Sequence, residues 1–116
     1  MTLNYRLVRA ARRDIDEISD YLADQAGLEK ALEVVSTIMG TIATLSLYPM
    51  AGVRAEQFGA GLRKFPAGNY MIYYRPRRSG GIVVLHVFHG ARDQRKAWRG
   101  RIKPKRQTKR EERTAT

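Results

Sequence analysis

The chain has 116 residues, 43% of them hydrophobic, no cysteine and a formal net charge of +11. That suffices for one domain with a modest core, and it excludes disulfide scaffolds, thiol nucleophiles and thiolate zinc sites. No apolar run reaches the roughly 18–20 residues that span a bilayer, and the opening MTLNYRLVRAARRD lacks a signal peptide's apolar stretch, so the expected compartment is the cytoplasm, with no membrane contact.

Residues 3–9, LNYRLVR, alternate Leu3, Tyr5 and Leu7 with polar neighbours and predict a first strand. From Ala10 to about Gln25 the period changes. Ala11, Ile15, Ile18 and Leu22 fall at helical spacing, with Arg12, Arg13, Asp16, Glu17, Asp20 and Asp24 on the other face. Gly27 breaks this helix, and a second is predicted from about Leu28 to Leu47 with Leu28, Leu32, Val35, Ile38, Met39, Ile42 and Leu45 as its apolar stripe. Pro49 and Gly52 end it. So short a connection makes the two helices an antiparallel hairpin.

Three strands follow, LRKF (62–65), YMIYYRP (70–76) and IVVLHVFH (82–89), separated by glycine-bearing turns. They form an antiparallel meander that the first strand has to join or remain unpaired. In the middle strand Tyr70, Ile72 and Tyr74 share one face, while Met71, Tyr73 and Arg75 share the opposite, partly open one. The last strand is apolar on both faces, with Ile82, Val84, His86 and Phe88 against Val83, Leu85, Val87 and His89, which places it inside the sheet. Asp93 is placed to cap a short helix, QRKAW, and Gly90 to supply a backbone conformation closed to other residues. The expected fold class is α+β, a helical hairpin covering one face of a single curved sheet, with a short C-terminal helix. Residues 1–98 make the domain. Residues 99–116 carry eight basic and two acidic side chains with one aliphatic, Ile102, the composition of a segment disordered when free.

Charge is unevenly spread. Residues 1–53 have a net charge of −2 and residues 54–116 a net charge of +13. So one-sided a potential attracts polyanions, either nucleic acid or an acidic polypeptide.

LSLYPMAG (45–52), LRKF (62–65), GNYMIYY (68–74) and HGARD (89–93), in that order and spacing, resemble the ParE/RelE superfamily of toxins from type II toxin–antitoxin modules. The likeness covers about residues 3–98. It implies two different activities. RelE-like members cleave messenger RNA on the ribosome, which takes clustered cations around a phosphate and a group that moves protons. The lysines that this site would use fall at Gly59 and Gly61, an arginine falls at Met71, and a tyrosine falls at Trp98, whose indole exchanges no proton at useful pH. Only Arg92 is retained. ParE-like members poison DNA gyrase by binding, need no catalytic constellation, cofactor or metal, and share HGARD. The resemblance therefore implies a gyrase-inhibiting toxin with a cognate antitoxin, small and acidic. A ribosome-dependent endoribonuclease using His89 and Arg92 is the alternative, and a basic nucleic-acid-binding module acting through residues 99–116 a weaker one.

The expected target-binding residues are Arg92, Arg95, Lys96 and Trp98, and the expected antitoxin contacts are Arg63, Tyr73 and Arg75. Each has a plainer reading. His86 and His89 read first as a packed and a strand-end histidine, Trp98 as core, Arg92 as pairing with Asp93 or bracing the turn, and Arg63 and Arg75 as solvated side chains.

Overall fold

The computed structural model describes residues 3–90 and 96–99. Strand β1 (Tyr5–Leu7) leads into helix α1 (Arg9–Ala26), and α2 (Leu28–Leu47) follows across Gly27 alone. Gly27 has φ 98, a left-handed value that L side chains adopt only with strain, which is why the chain turns there. Strand β2 (Val53–Arg54), a 3-10 turn at Glu56–Phe58, and strands β3 (Arg63–Ala67), β4 (Tyr70–Pro76) and β5 (Ile82–His89) complete the sheet. Residues 96–99 are helical, within the short helix expected there. The strand order is β1-β5-β4-β3-β2. All neighbours are antiparallel except β1, which runs parallel to β5 because the hairpin returns the chain on the same side. Interior β5 is apolar as expected; β2 was not foreseen, being only two residues long.

The helices cover one face. Ala11 and Ile15 of α1 and Ile38, Ile42 and Leu45 of α2 pack on Ile72, Tyr74, Ile82, Val84 and Val87 of the sheet. The stripe on α2 differs from the expected one at its start: Ala31 is fully buried while Leu28 and Leu32 are 66% and 60% exposed. Ala31 lies four residues before Val35 and seven before Ile38, so the buried side of the helix begins at Ala31 and leaves its larger neighbours outward. The bilayer reading also needs correction, since α2 is long and apolar enough to cross a membrane by length and composition. Here one side of it is spent on the sheet.

Strand β5 departs from strict alternation. Tyr73 pairs with His86 but Tyr74 pairs with Val84, leaving Leu85 as an extra residue in a β-bulge. The bulge puts Ile82, Val84 and Val87 on the helical side and Leu85 and Phe88 on the other. The expected grouping of Val84 with Phe88 fails for that reason.

The second face is covered as well. Ala55, Leu62, Tyr73, Phe88, Ala97 and Trp98 form a separate buried cluster, with Phe58, Met71 and Leu85 at its margin. Trp98 stacks on Phe58 at 5.6 Å between centroids and meets Tyr73, His86 and Phe88 edge-on at 5.3, 4.8 and 5.8 Å. The last helical turn is thus pinned to the sheet by its tryptophan.

Candidate functional site

The motif residues converge on one junction. The Tyr74 hydroxyl donates to the Pro49 carbonyl at 2.8 Å and accepts from the Gly52 amide at 2.8 Å. A Cβ on Gly52 would stand 2.5 Å from that hydroxyl and 2.7 Å from the Lys64 carbonyl, so only glycine fits. Arg63 Nη1 donates to the Gly52 carbonyl at 2.6 Å and the Met50 carbonyl at 3.4 Å. Burial raises the Tyr74 pKa, opposed by the Gly52 amide and the nearby Arg63 charge. The Pro and Gly after α2, the arginine of L-R and the last tyrosine of GNYMIYY thus serve one task, fastening the chain after α2 to the sheet.

Beside this junction lies a cationic cleft of about 350 Å³ lined by Arg54, Arg63 and Arg75, with Glu56 as its one carboxylate. Arg75 Nε donates to the Ala60 carbonyl at 2.9 Å, and Glu56 accepts from the Gly61 amide at 3.3 Å. Both expected arginines are therefore half-buried braces of the loop at 49–62 that also line this cleft. Arg54 was missed; its signal was weak, a lone arginine between the helix-ending glycine and LRKF. Tyr73 does not join them. It is fully buried in the aromatic cluster, because Trp98 and Phe58 close the face that the sequence left open, and it offers no surface for an antitoxin. Burial raises its pKa, and the Trp98 indole offsets part of that rise although its Nε1 meets no partner in hydrogen-bond geometry among the described residues.

Of the expected target-binding residues, Arg92 and Arg95 lie outside the described residues, as does Asp93. Lys96 is exposed, and Trp98, only 8% exposed, belongs to the core rather than to a contact surface. Gly90 is explained differently from the expectation: its φ is not left-handed, but its amide donates to the Asn69 carbonyl at 2.7 Å and a Cβ there would stand 3.1 Å from that oxygen.

The two histidines part company. His86 is buried, and its Nδ1 donates to Asp14 Oδ2 at 2.9 Å. The same oxygen accepts from the Val87 amide at 3.0 Å. Asp14, a carboxylate four per cent exposed on α1, thereby ties the helix to the bulged strand. Nothing in its sequence neighbourhood marked it. His89 is exposed at the strand end, edge-on to Tyr70 at 5.1 Å, and lines a groove of about 540 Å³ with Glu17, Ile18 and Tyr21 of α1. That groove is on the helical side, whereas Trp98 covers the opposite side. Gly59 and Gly61 stand by Arg75, and half-buried Met71 packs at the margin of the aromatic cluster. No group of three or more metal-ligating side chains occurs among the described residues.

The hairpin-covered curved sheet is a fold shared with solved chains from toxin–antitoxin systems. A chain of the chromosomal ParDE system from P. aeruginosa matches it with a TM-score of 0.64 at 24% identity, over 75% of this chain and 95% of that one. A chain of the RelBE2 toxin–antitoxin complex from Mycobacterium tuberculosis matches with a TM-score of 0.51 at 23% identity, over 77% and 99%. In sequence, residues 5–94 match the family described as the ParE toxin of the type II toxin–antitoxin system parDE. The Caulobacter vibrioides protein named Toxin ParE1 is 33% identical over 76% of this chain and 93% of its own. A Mycobacterium tuberculosis protein of the same name is 29% identical over 80% and 95%. The chain belongs to the ParE toxin family.

Proposed function

We propose that this chain is a cytoplasmic toxin that acts by binding, inhibits DNA gyrase, and is held silent by a cognate antitoxin. The observation that carries this reading is the closure of the sheet's second face by Phe58, Tyr73, Phe88 and Trp98. A ribonuclease needs cations and a proton-moving group converging on a phosphate; the positions that would supply them hold Gly59, Gly61, Met71 and buried Trp98. The cleft of Arg54, Arg63 and Arg75 supports an antitoxin that presents carboxylates there, since guanidinium groups pair with carboxylates bidentately. Lys96 is exposed, and with Arg92 and Arg95, which lie outside the described residues, it is our candidate for contact with the target, while the basic residues after Trp98 would add a salt-sensitive attraction to DNA.

A ribosome-dependent endoribonuclease is favoured by one observation, the exposed His89 followed three residues later by Arg92. The test is purified protein added to translating ribosomes. Messenger RNA is expected to remain intact; codon-dependent cleavage abolished by His89→Ala or Arg92→Ala would replace binding with catalysis.

A further inference from the structure

A second groove of about 410 Å³, between the hairpin and the β3–β4 turn, adjoins the 540 Å³ groove described above, and the two share Tyr21, Tyr70 and His89. Their chemistry is opposite to that of the rest of the molecule. Residues 16–33 carry six exposed carboxylates, Asp16, Glu17, Asp20, Asp24, Glu29 and Glu33, against the single cation Lys30, whose Nζ lies 3.8 Å from Glu33. Asp14 and Glu17 line the first groove, and Glu33 lines the second together with Lys30. Tyr21 is 63% exposed, an aromatic ring unburied on α1 between the exposed carboxylates Asp20 and Asp24. Tyr21 and Tyr70 both line both grooves, which places the two rings on the shared space. Ile18, Leu22 and Val34 supply an apolar floor.

We infer that this double groove receives a cationic side chain, an arginine, from the antitoxin segment that silences the chain, with Tyr21 and Tyr70 taking the guanidinium and Glu17 and Glu33 its charge. The inference rests on the toxin reading above. It makes the antitoxin contact bipolar: carboxylates at Arg54, Arg63 and Arg75, a guanidinium at the opposite end of the sheet. An acidic segment is repelled by residues 16–33, whereas a guanidinium is weakly hydrated, stacks on aromatic faces and buries its aliphatic stem along apolar surface.

The test is the affinity of the purified chain for its cognate antitoxin, with each variant measured against wild type. Tyr21→Ala, and Glu17→Gln combined with Glu33→Gln, are expected to weaken the complex about tenfold, the range of a partly desolvated cation–π contact. Tyr21→Phe keeps the ring face and is expected to stay within about twofold, as is Glu29→Gln, outside the groove lining. A complex that forms and is indifferent to the first two variants overturns the inference. In parallel, the chain alone is titrated with N-acetylarginine amide and, separately, N-acetylglutamate amide while the tyrosine ring resonances are followed. Shifts of Tyr21 and Tyr70 with arginine only are expected. If no antitoxin complex forms yet arginine still moves these rings, the groove chemistry stands and the toxin reading falls; if neither occurs, both fall. Ring resonances of the free chain that already move as salt is raised would give the groove to the chain's own basic residues and overturn the antitoxin as its occupant.

Discussion

The two faces of the sheet are closed by different means. The helical face is closed by aliphatic residues from α1 and α2, delivered at helical spacing close in sequence to one another. The other is closed by one tryptophan, Trp98, and one phenylalanine, Phe58, laid on Tyr73 and Phe88 from opposite ends of the chain's second half. The first closure is distributed and tolerant, since many side chains share it. The second is concentrated in a few rings, so a single substitution opens it. That difference bears on function, because Met71 and Trp98, two of the positions that a RelE-like site would use, are taken up in the second closure.

The largest expected effect is at that concentrated closure. Trp98→Ala removes the ring that touches four others, and the loss expected from urea unfolding is about 3–5 kcal/mol, as for large aromatic truncations in cores. Trp98→Phe should recover a good part of it. Ile42→Ala on the helical face should cost about 2–5 kcal/mol, the lower end being expected where neighbours can relax. Equal losses at the two positions would show that both closures are distributed.

Next comes the bond that ties the faces together. Asp14→Ala leaves the His86 ring and the Val87 amide without their acceptor, a cost of about 1–3 kcal/mol by the usual penalty for orphaned buried donors. Because His86 also packs against Trp98, the loss should appear in tryptophan fluorescence as well as in helical circular dichroism. A silent tryptophan signal would uncouple the two faces. Tyr74→Phe similarly strands the Pro49 carbonyl and the Gly52 amide, at about 1–3 kcal/mol, without disturbing the aromatic cluster.

A smaller effect separates the faces by pH. Tyr73, on one side, and Tyr74, on the other, both have pKa values raised above the ordinary 10.0 by burial. A phenol harder to ionise when folded contributes stability that is fully present below pH 10 and is lost as pH rises through the folded pKa. Stability should therefore be insensitive to these groups at neutral pH and decline above about pH 10. Tyr73→Phe should flatten part of that decline, and an unchanged alkaline slope would mean that the ring is not buried in solution. The smallest expected effect is on removing residues 100–116: the thermal transition should hardly move, while the salt dependence of DNA binding flattens as charge neutralising phosphates is lost.

The sequence made the distributed closure legible and hid the concentrated one. Ala11, Ile15, Ile38, Ile42 and Leu45 announce themselves by period, because each helical turn repeats the same geometry. Leu28 and Leu32 mislead through the same rule, as nothing local reports that the buried side of α2 starts at Ala31. Trp98 and Tyr73 carry no such signal: their burial depends on two segments meeting across the sheet, and a ring beside cations reads equally well as an anchor. The bulge at Leu85 likewise has no local mark, yet it reverses which of His86, Val87 and Phe88 face the helices. Family motifs were legible as motifs, but Pro49, Gly52, Arg63 and Tyr74 prove to hold a loop to the sheet. Arg54 and Asp14 were silent for want of any local pattern.

The claim that the second face is structural and the protein acts by binding meets its most direct test in gyrase itself. Increasing amounts of the purified chain are added to a supercoiling reaction, with and without the cognate antitoxin. Dose-dependent loss of supercoiling that saturates with the amount of toxin and is reversed by antitoxin is the predicted result. Undiminished supercoiling at a large excess of folded toxin would contradict the account.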